Sequence, residues 1–149
     1  MPLNFNKQAQ KGNQFLHALA EELGDKTDTK RAGRMLRLVF NALRNHLTVE
    51  ENLHLVAQLP ETLKSVYVHG WAPYKKNKGI EKKIDLVTEV MSFEGLDSWK
   101  DFPTTEDAHD AVIAVLNSLK KYISQGEFED IEAVLPKQIK DLLRESIYA

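Results

Sequence analysis

The chain has no cysteine, which excludes a disulfide framework, a thiolate metal site and a nucleophilic thiol together. It also has no apolar run near the ~20 residues a membrane-spanning helix needs. The opening Met-Pro-Leu-Asn-Phe-Asn-Lys lacks the hydrophobic stretch of a signal peptide. A cytoplasmic, soluble protein is therefore expected. No sustained alternation and no Asn-Gly hairpin occurs, so nothing reads as a strand. Net charge is only −2, which argues against nucleic acid as a partner on bulk charge. The five histidines (His17, His46, His54, His69, His109) include no His-x₃-His pair and no His-Glu-x-x-His. The serines lack a nucleophile-elbow context, and no glycine pattern cradles phosphate. No catalytic, cofactor-binding or metal-binding residue is assigned, and the chain reads as non-enzymatic.

What is present is a chain of 149 residues, 42% hydrophobic and 28% charged, the balance of a globular protein rather than a disordered one. A chain of that length buries roughly 70% of its unfolded surface as one domain. Within it, residues 32–67 recur. Thr29 onward laid over Thr105 onward, an offset of 76, aligns without a gap. Val39 meets Val115, Asn41 meets Asn117, and Leu43 meets Leu119. Farther on, Glu51 meets Glu127, Pro60 meets Pro136 and Lys64 meets Lys140. The predicted fold is all-α: an orthogonal bundle of about eight helices, built from two tandem four-helix repeats related by a pseudo-twofold. Residues 1–149 form a single domain in this reading, with repeat one at about 13–69, a loop at 70–79 and repeat two at about 80–147.

Apolar spacing and end signals place the helices. After polar residues expected to be frayed up to about residue 13, Phe15, Leu16, Leu19, Ala20 and Leu23 mark one face, and Gly24 ends helix one. Helix two runs from about Thr29 to His46 with Ala32, Leu36, Val39, Phe40, Leu43 and Leu47 inward, and Asp28 or Thr29 as its cap. Thr48-Val-Glu-Glu51 is a capping box, repeated as Ser124-Gln-Gly-Glu127. Helix three is expected to bury Leu53, Val56, Ala57 and Leu59. Pro60 cannot donate a backbone hydrogen bond and forces a break before helix four, which buries Leu63, Val66 and Tyr67. Helix five carries Ile80, Ile84, Val87, Val90 and Met91 inward. Helix six, from about Thr104 to Tyr122, and helices seven and eight complete the second copy.

Leu47-Thr-Val-Glu-Glu-Asn-Leu-His-Leu-Val-Ala-Gln-Leu-Pro60, followed by Val66-Tyr67 and Gly70-Trp71-Ala72-Pro73, resembles a bacterial family, domain of unknown function 2267. The likeness spans about Phe15 to Leu143. It implies an all-helical bacterial domain and brings no established activity, so it transfers no catalytic residue. The family pattern places an acidic residue after the tryptophan, and Ala72 stands there instead.

Charge is unevenly spread. Residues 1–74 carry 9 Lys/Arg against 7 Asp/Glu, whereas residues 75–149 carry 11 against 15. Lys30, Arg34, Arg37 and Arg44 fall on one face of helix two. Trp71, Tyr74, Lys75 and Lys76 form a second patch with aromatics among the lysines. Together they are the candidate surface for an unidentified protein partner. The plainer alternative is that Lys30, Arg31 and Arg34 pair internally with Glu106, Asp107 and Asp110, or are simply solvated. Tyr67 and Trp71 are candidates to line a pocket between the repeats that would hold an apolar ligand, although a loop tryptophan more often plugs a core. Nucleic acid or another anionic partner on the basic face of helix two is a third reading. A homodimer is compatible with the sequence. Adjacent carboxylates such as Glu50/Glu51 point about 100° apart on a helix and do not make an acid–base pair.

Overall fold

The computed structural model describes residues 3–72, 83–92, 103–122 and 124–134, together with 137, 140–142 and 144. Most of these residues are helical, with no strand among them. Seven helices are delimited there: α1 (Asn6–Glu22), α2 (Thr29–His46), α3 (Val49–Gln58), α4 (Glu61–Val68), α5 (Lys83–Ser92), α6 (Thr105–Tyr122) and α7 (Gln125–Val134). Lys137, Lys140, Asp141, Leu142 and Arg144 are helical beyond them. No described helix is long and apolar enough to cross a membrane.

The helix ends follow local chemistry. α1 closes on Gly24, whose φ of 103° is open to a residue without Cβ. The Gly24 amide reaches Glu21 O and the Asp25 amide reaches Ala20 O, a Schellman closure. Asp28 caps α2 by accepting from the Arg31 amide at 3.0 Å. At α3 the expected capping box is in place, with Glu51 N to Thr48 Oγ1 at 3.1 Å and Thr48 N to Glu51 Oε1 at 2.7 Å. Leu59 and Pro60 are both extended, and α4 restarts at Glu61. A second box, not anticipated, opens α6. Thr104 Oγ1 accepts from the Asp107 amide, and Asp107 Oδ2 accepts from the Thr104 amide, each at 3.1 Å.

Two expectations need correction. α1 begins at Asn6, not near residue 13, because Asn4 Oδ1 accepts from the Asn6 amide and the added turns lie close against α4. Gly12 permits that approach: a Cβ there would stand 3.1 Å from Thr62 Oγ1. A contact made by bare backbone leaves no apolar periodicity to read. In α3 the buried face is Asn52, Leu55 and Leu59, while Leu53 is 55% exposed, Ala57 is exposed and Val56 is half-buried. The i, i+3, i+7 spacing holds, but it starts on an asparagine, and a hydrophobic template passes over it.

α2 is the hub. It packs against α1, α4, α5 and α6. Its buried set contains all six expected stripe residues and adds Met35, Leu38, Ala42 and His46. α1 also packs on α6 and α4, α5 on α6, and α3 on α7. One contiguous core runs from Phe15 through Leu142, drawing on α1 to α7 and on Leu142 beyond them. In α5, Leu86, Val87 and Val90 are buried and Met91 is half-buried, whereas Ile80 and the side chain of Ile84 lie outside the described residues.

Candidate functional site

The exposed flank of α2 is narrow. Lys30, Arg34 and Arg37 are open to solvent, while Arg31 and Asn41 are half-buried. Residue spacing alone puts Arg44 on the same strip, and the structure removes it. Arg44 Nη1 donates to Tyr67 O at 3.0 Å and to His69 O at 2.6 Å, and Nη2 donates to Asn41 Oδ1 at 2.7 Å. These carbonyls close α4, where intrahelical donors run out and the dipole is negative. Burial draws the Arg44 guanidinium below its ordinary pKa, an effect the neighbouring Tyr67 opposes. Arg44 is thus a staple between α2 and α4.

Asn52 does the reciprocal task. Its Nδ2 donates to Arg44 O and Leu47 O, each at 3.2 Å, and to Thr48 O at 3.0 Å, capping the end of α2. The Tyr67 hydroxyl donates to Asn52 Oδ1 through a short hydrogen bond. Tyr67 is fully buried, and its ring meets Phe40 edge-on at 4.9 Å. Burial raises the Tyr67 phenol well above its usual range, with Arg44 pulling the other way. Each of Arg44, Asn52 and Tyr67 satisfies a group left over by another helix, so α2, α3 and α4 are locked as a unit.

Tyr67 is therefore committed inside the first half. Trp71 and Ala72 are half-buried, and the Trp71 amide donates to Val68 O at 2.9 Å, just past Gly70 with φ 71°. Tyr74, Lys75 and Lys76 lie outside the described residues. Of the acids proposed to face the basic strip, Asp107 is engaged with Thr104, and Asp110 Oδ1 stands 3.8 Å from His109 Nδ1. Glu106 is exposed.

Two carboxylates from adjacent acidic pairs also have structural roles. Glu51 completes the α3 box, and Glu22 takes the Lys121 ammonium, joining α1 to α6. On α5, Glu89 meets two α2 residues: Oε2 lies 3.4 Å from His46 Nε2, and Oε1 accepts from Asn45 Nδ2 at 3.4 Å. Among the described residues, no three His, Asp or Glu side chains gather as a metal site would require.

A cleft of about 490 Å³ lies where α1 passes the elbow between α3 and α4. Its floor includes Phe15, Leu59 and Leu63, all buried. Lys11 and Gln14 of α1 and Gln58, Thr62 and Lys64 across the elbow also line it. Lys64 Nζ rests 3.3 Å from Glu61 Oε1. No spacing rule singled out this place, although Pro60 announced the elbow that creates it.

A family model described as "Uncharacterized conserved protein (DUF2267)" matches residues 12–145, nearly the whole chain. The chain belongs to the DUF2267 family. The match begins at Gly12 and takes in the α2–α4 lock, the Leu59-Pro60 elbow and Gly70-Trp71. No curated protein matches the chain. Membership of the DUF2267 family thus brings no activity to test against the geometry, and the function of the chain is unknown.

Proposed function

We propose that the chain is a non-enzymatic helical interaction module that binds an acidic protein through the open flank of α2. The supporting observation is how α2 is used. Four helices cover it, and the strip they leave is cationic, with Lys30, Arg34 and Arg37 exposed along it. A strip held on the most deeply packed helix presents charge with little ordering cost on binding. The Trp71 loop extends the same reading. In a pull-down from cell extract, Lys30→Glu/Arg37→Glu should abolish recovery of the partner, and recovery by the wild type should weaken as salt rises. Unchanged recovery by the reversed protein would remove this face from consideration. Localisation in the cytoplasm fits the same reading.

The scaffold in this proposal is an orthogonal bundle of two tandem repeats related by a pseudo-twofold, together forming one domain. Helix limits support it. α2 and α6 each have 18 residues and α3 and α7 each have 10, with both pairs offset by 76 residues. Packing supports it too, since α1 on α6 exchanges with α5 on α2 under such an axis, while α2–α6 and α3–α7 pair equivalents. Circular dichroism of the separate halves gives a test. Halves that need each other should be unfolded alone and regain helix when mixed.

A further inference from the structure

We propose that the cleft between α1 and the α3–α4 elbow binds a small organic carboxylate with an apolar body. This site lies apart from the α2 flank, and none of its lining residues belongs to α2.

The cleft exists for a covalent reason. Pro60 lacks an amide hydrogen and restricts Leu59 to extended geometry, so two extended residues separate α3 from α4. α1 crosses that gap and is held in place at Gly12, where the α1 backbone comes close to Thr62. The result is a hollow of about 490 Å³, within the ~300–1,000 Å³ usual for small-molecule sites. Its floor is made by three side chains of the core itself, Phe15, Leu59 and Leu63, so it is apolar and fixed by packing.

The lining has one sign of charge. Lys11 lines it from α1 and Lys64 from α4, and no Asp or Glu among the described residues lines it. Lys64 is held by Glu61 in an i, i+3 pair whose carboxylate side chain is 71% exposed. A pair that open contributes at most ~1 kcal/mol, so a ligand carboxylate can compete for the ammonium. Gln14, Gln58 and Thr62 add hydrogen-bonding side chains to the lining. An apolar floor in a cleft whose lining includes two lysines fits a molecule with a greasy body and an anionic head. A neutral apolar ligand would leave the charges without use, and an inorganic anion would leave the floor wet.

Fluorescence titration of the full chain tests this with two probes of the same skeleton. One is 8-anilinonaphthalene-1-sulfonate, a sulfonate standing in for the carboxylate; the other is uncharged N-phenyl-1-naphthylamine. The sulfonate should saturate one site per chain, be displaced by decanoate and raise the thermal midpoint, as binding to the native state requires. Lys11→Gln/Lys64→Gln should weaken the sulfonate and decanoate by about tenfold and leave the neutral probe unchanged. Ala57 is exposed and lines the same cleft, so Ala57→Trp should fill it and abolish binding of both probes without unfolding the chain. Non-saturable binding, a lowered midpoint, failure of decanoate to compete, or sulfonate affinity indifferent to either variant would overturn the proposal.

Discussion

The two stretches that align at an offset of 76 residues carry different chemistry at matching sequence positions. In the first, Arg44, Asn52 and Tyr67 bind the ends of α2 and α4 through a buried polar knot. At the matching positions the second has Lys120, Phe128 and Leu143. Phe128 is buried, and the Lys120 ammonium stands 6.0 Å from its ring centroid, a cation–π contact in place of the guanidinium clamp. Burial also lowers the pKa of Lys120. A polar solution fixes geometry by direction and is costly when one member is lost. The apolar solution is graded, because each lost contact subtracts only its own share.

That contrast can be broken most sharply at Asn52. Asn52→Ala leaves the Tyr67 hydroxyl and the end of α2 unpaired in the core and should cost about 3–5 kcal/mol in urea unfolding. Tyr67→Phe should cost about 1–2 kcal/mol alone and almost nothing in the Asn52→Ala background, because its partner is already gone. Additive losses would show that the two side chains do not act together. The same tyrosine sets an alkaline limit. Its folded pKa is raised, so the stability it supplies is whole below the ordinary phenol value near 10. Above about pH 10 the unfolded chain releases that proton while the fold keeps it, and stability falls by up to ~1.4 kcal/mol per pH unit. Tyr67→Phe should flatten that decline.

Arg44→Ala should come next, at about 1–3 kcal/mol, since two carbonyls at the end of α4 lose a charged donor. Lys120→Ala should cost below ~1 kcal/mol. Equal losses at the two sites would erase the distinction between clamp and cation–π contact. The capping boxes should behave alike: Thr48→Ala and Thr104→Ala are each expected to cost about 1 kcal/mol by thermal unfolding. The smallest change is a gain. Ser118 is fully buried with no hydrogen-bond partner for its Oγ among the described residues, and the matching position holds Ala42, also fully buried. Ser118→Ala should stabilise the chain by about 0.5–1 kcal/mol, and a loss of stability would reveal a bond to that hydroxyl.

Much of the fold is legible in the sequence because helix ends are local events. Gly24, Asp28, Thr48 with Glu51, and Pro60 each act within a few residues, and each marks an observed boundary or break. The inward stripe of α2 is equally plain, since a hub buried on most sides needs apolar side chains throughout. The α6 box could have been read from Thr104-Thr105-Glu106-Asp107, where Asp replaces the commoner Glu. The candidate sites were far less visible. Spacing puts Arg44 with Lys30 and Arg37, but spacing gives only the direction in which a side chain leaves its helix. Whether that direction meets water or the end of α4 depends on a segment more than 20 residues away.

By itself the sequence determined the helical class, the ends of most helices and the residues that fill α2. Those follow from backbone hydrogen-bond supply and apolar periodicity, both short-range. Only the tertiary structure decided that Asn52 turns inward, that Arg44 staples rather than recruits, and that α1 lies across the Pro60 elbow to leave a cationic cleft. Each depends on where an unpaired carbonyl or a bare Gly12 backbone comes to rest, and such meetings carry no periodic trace in the chain.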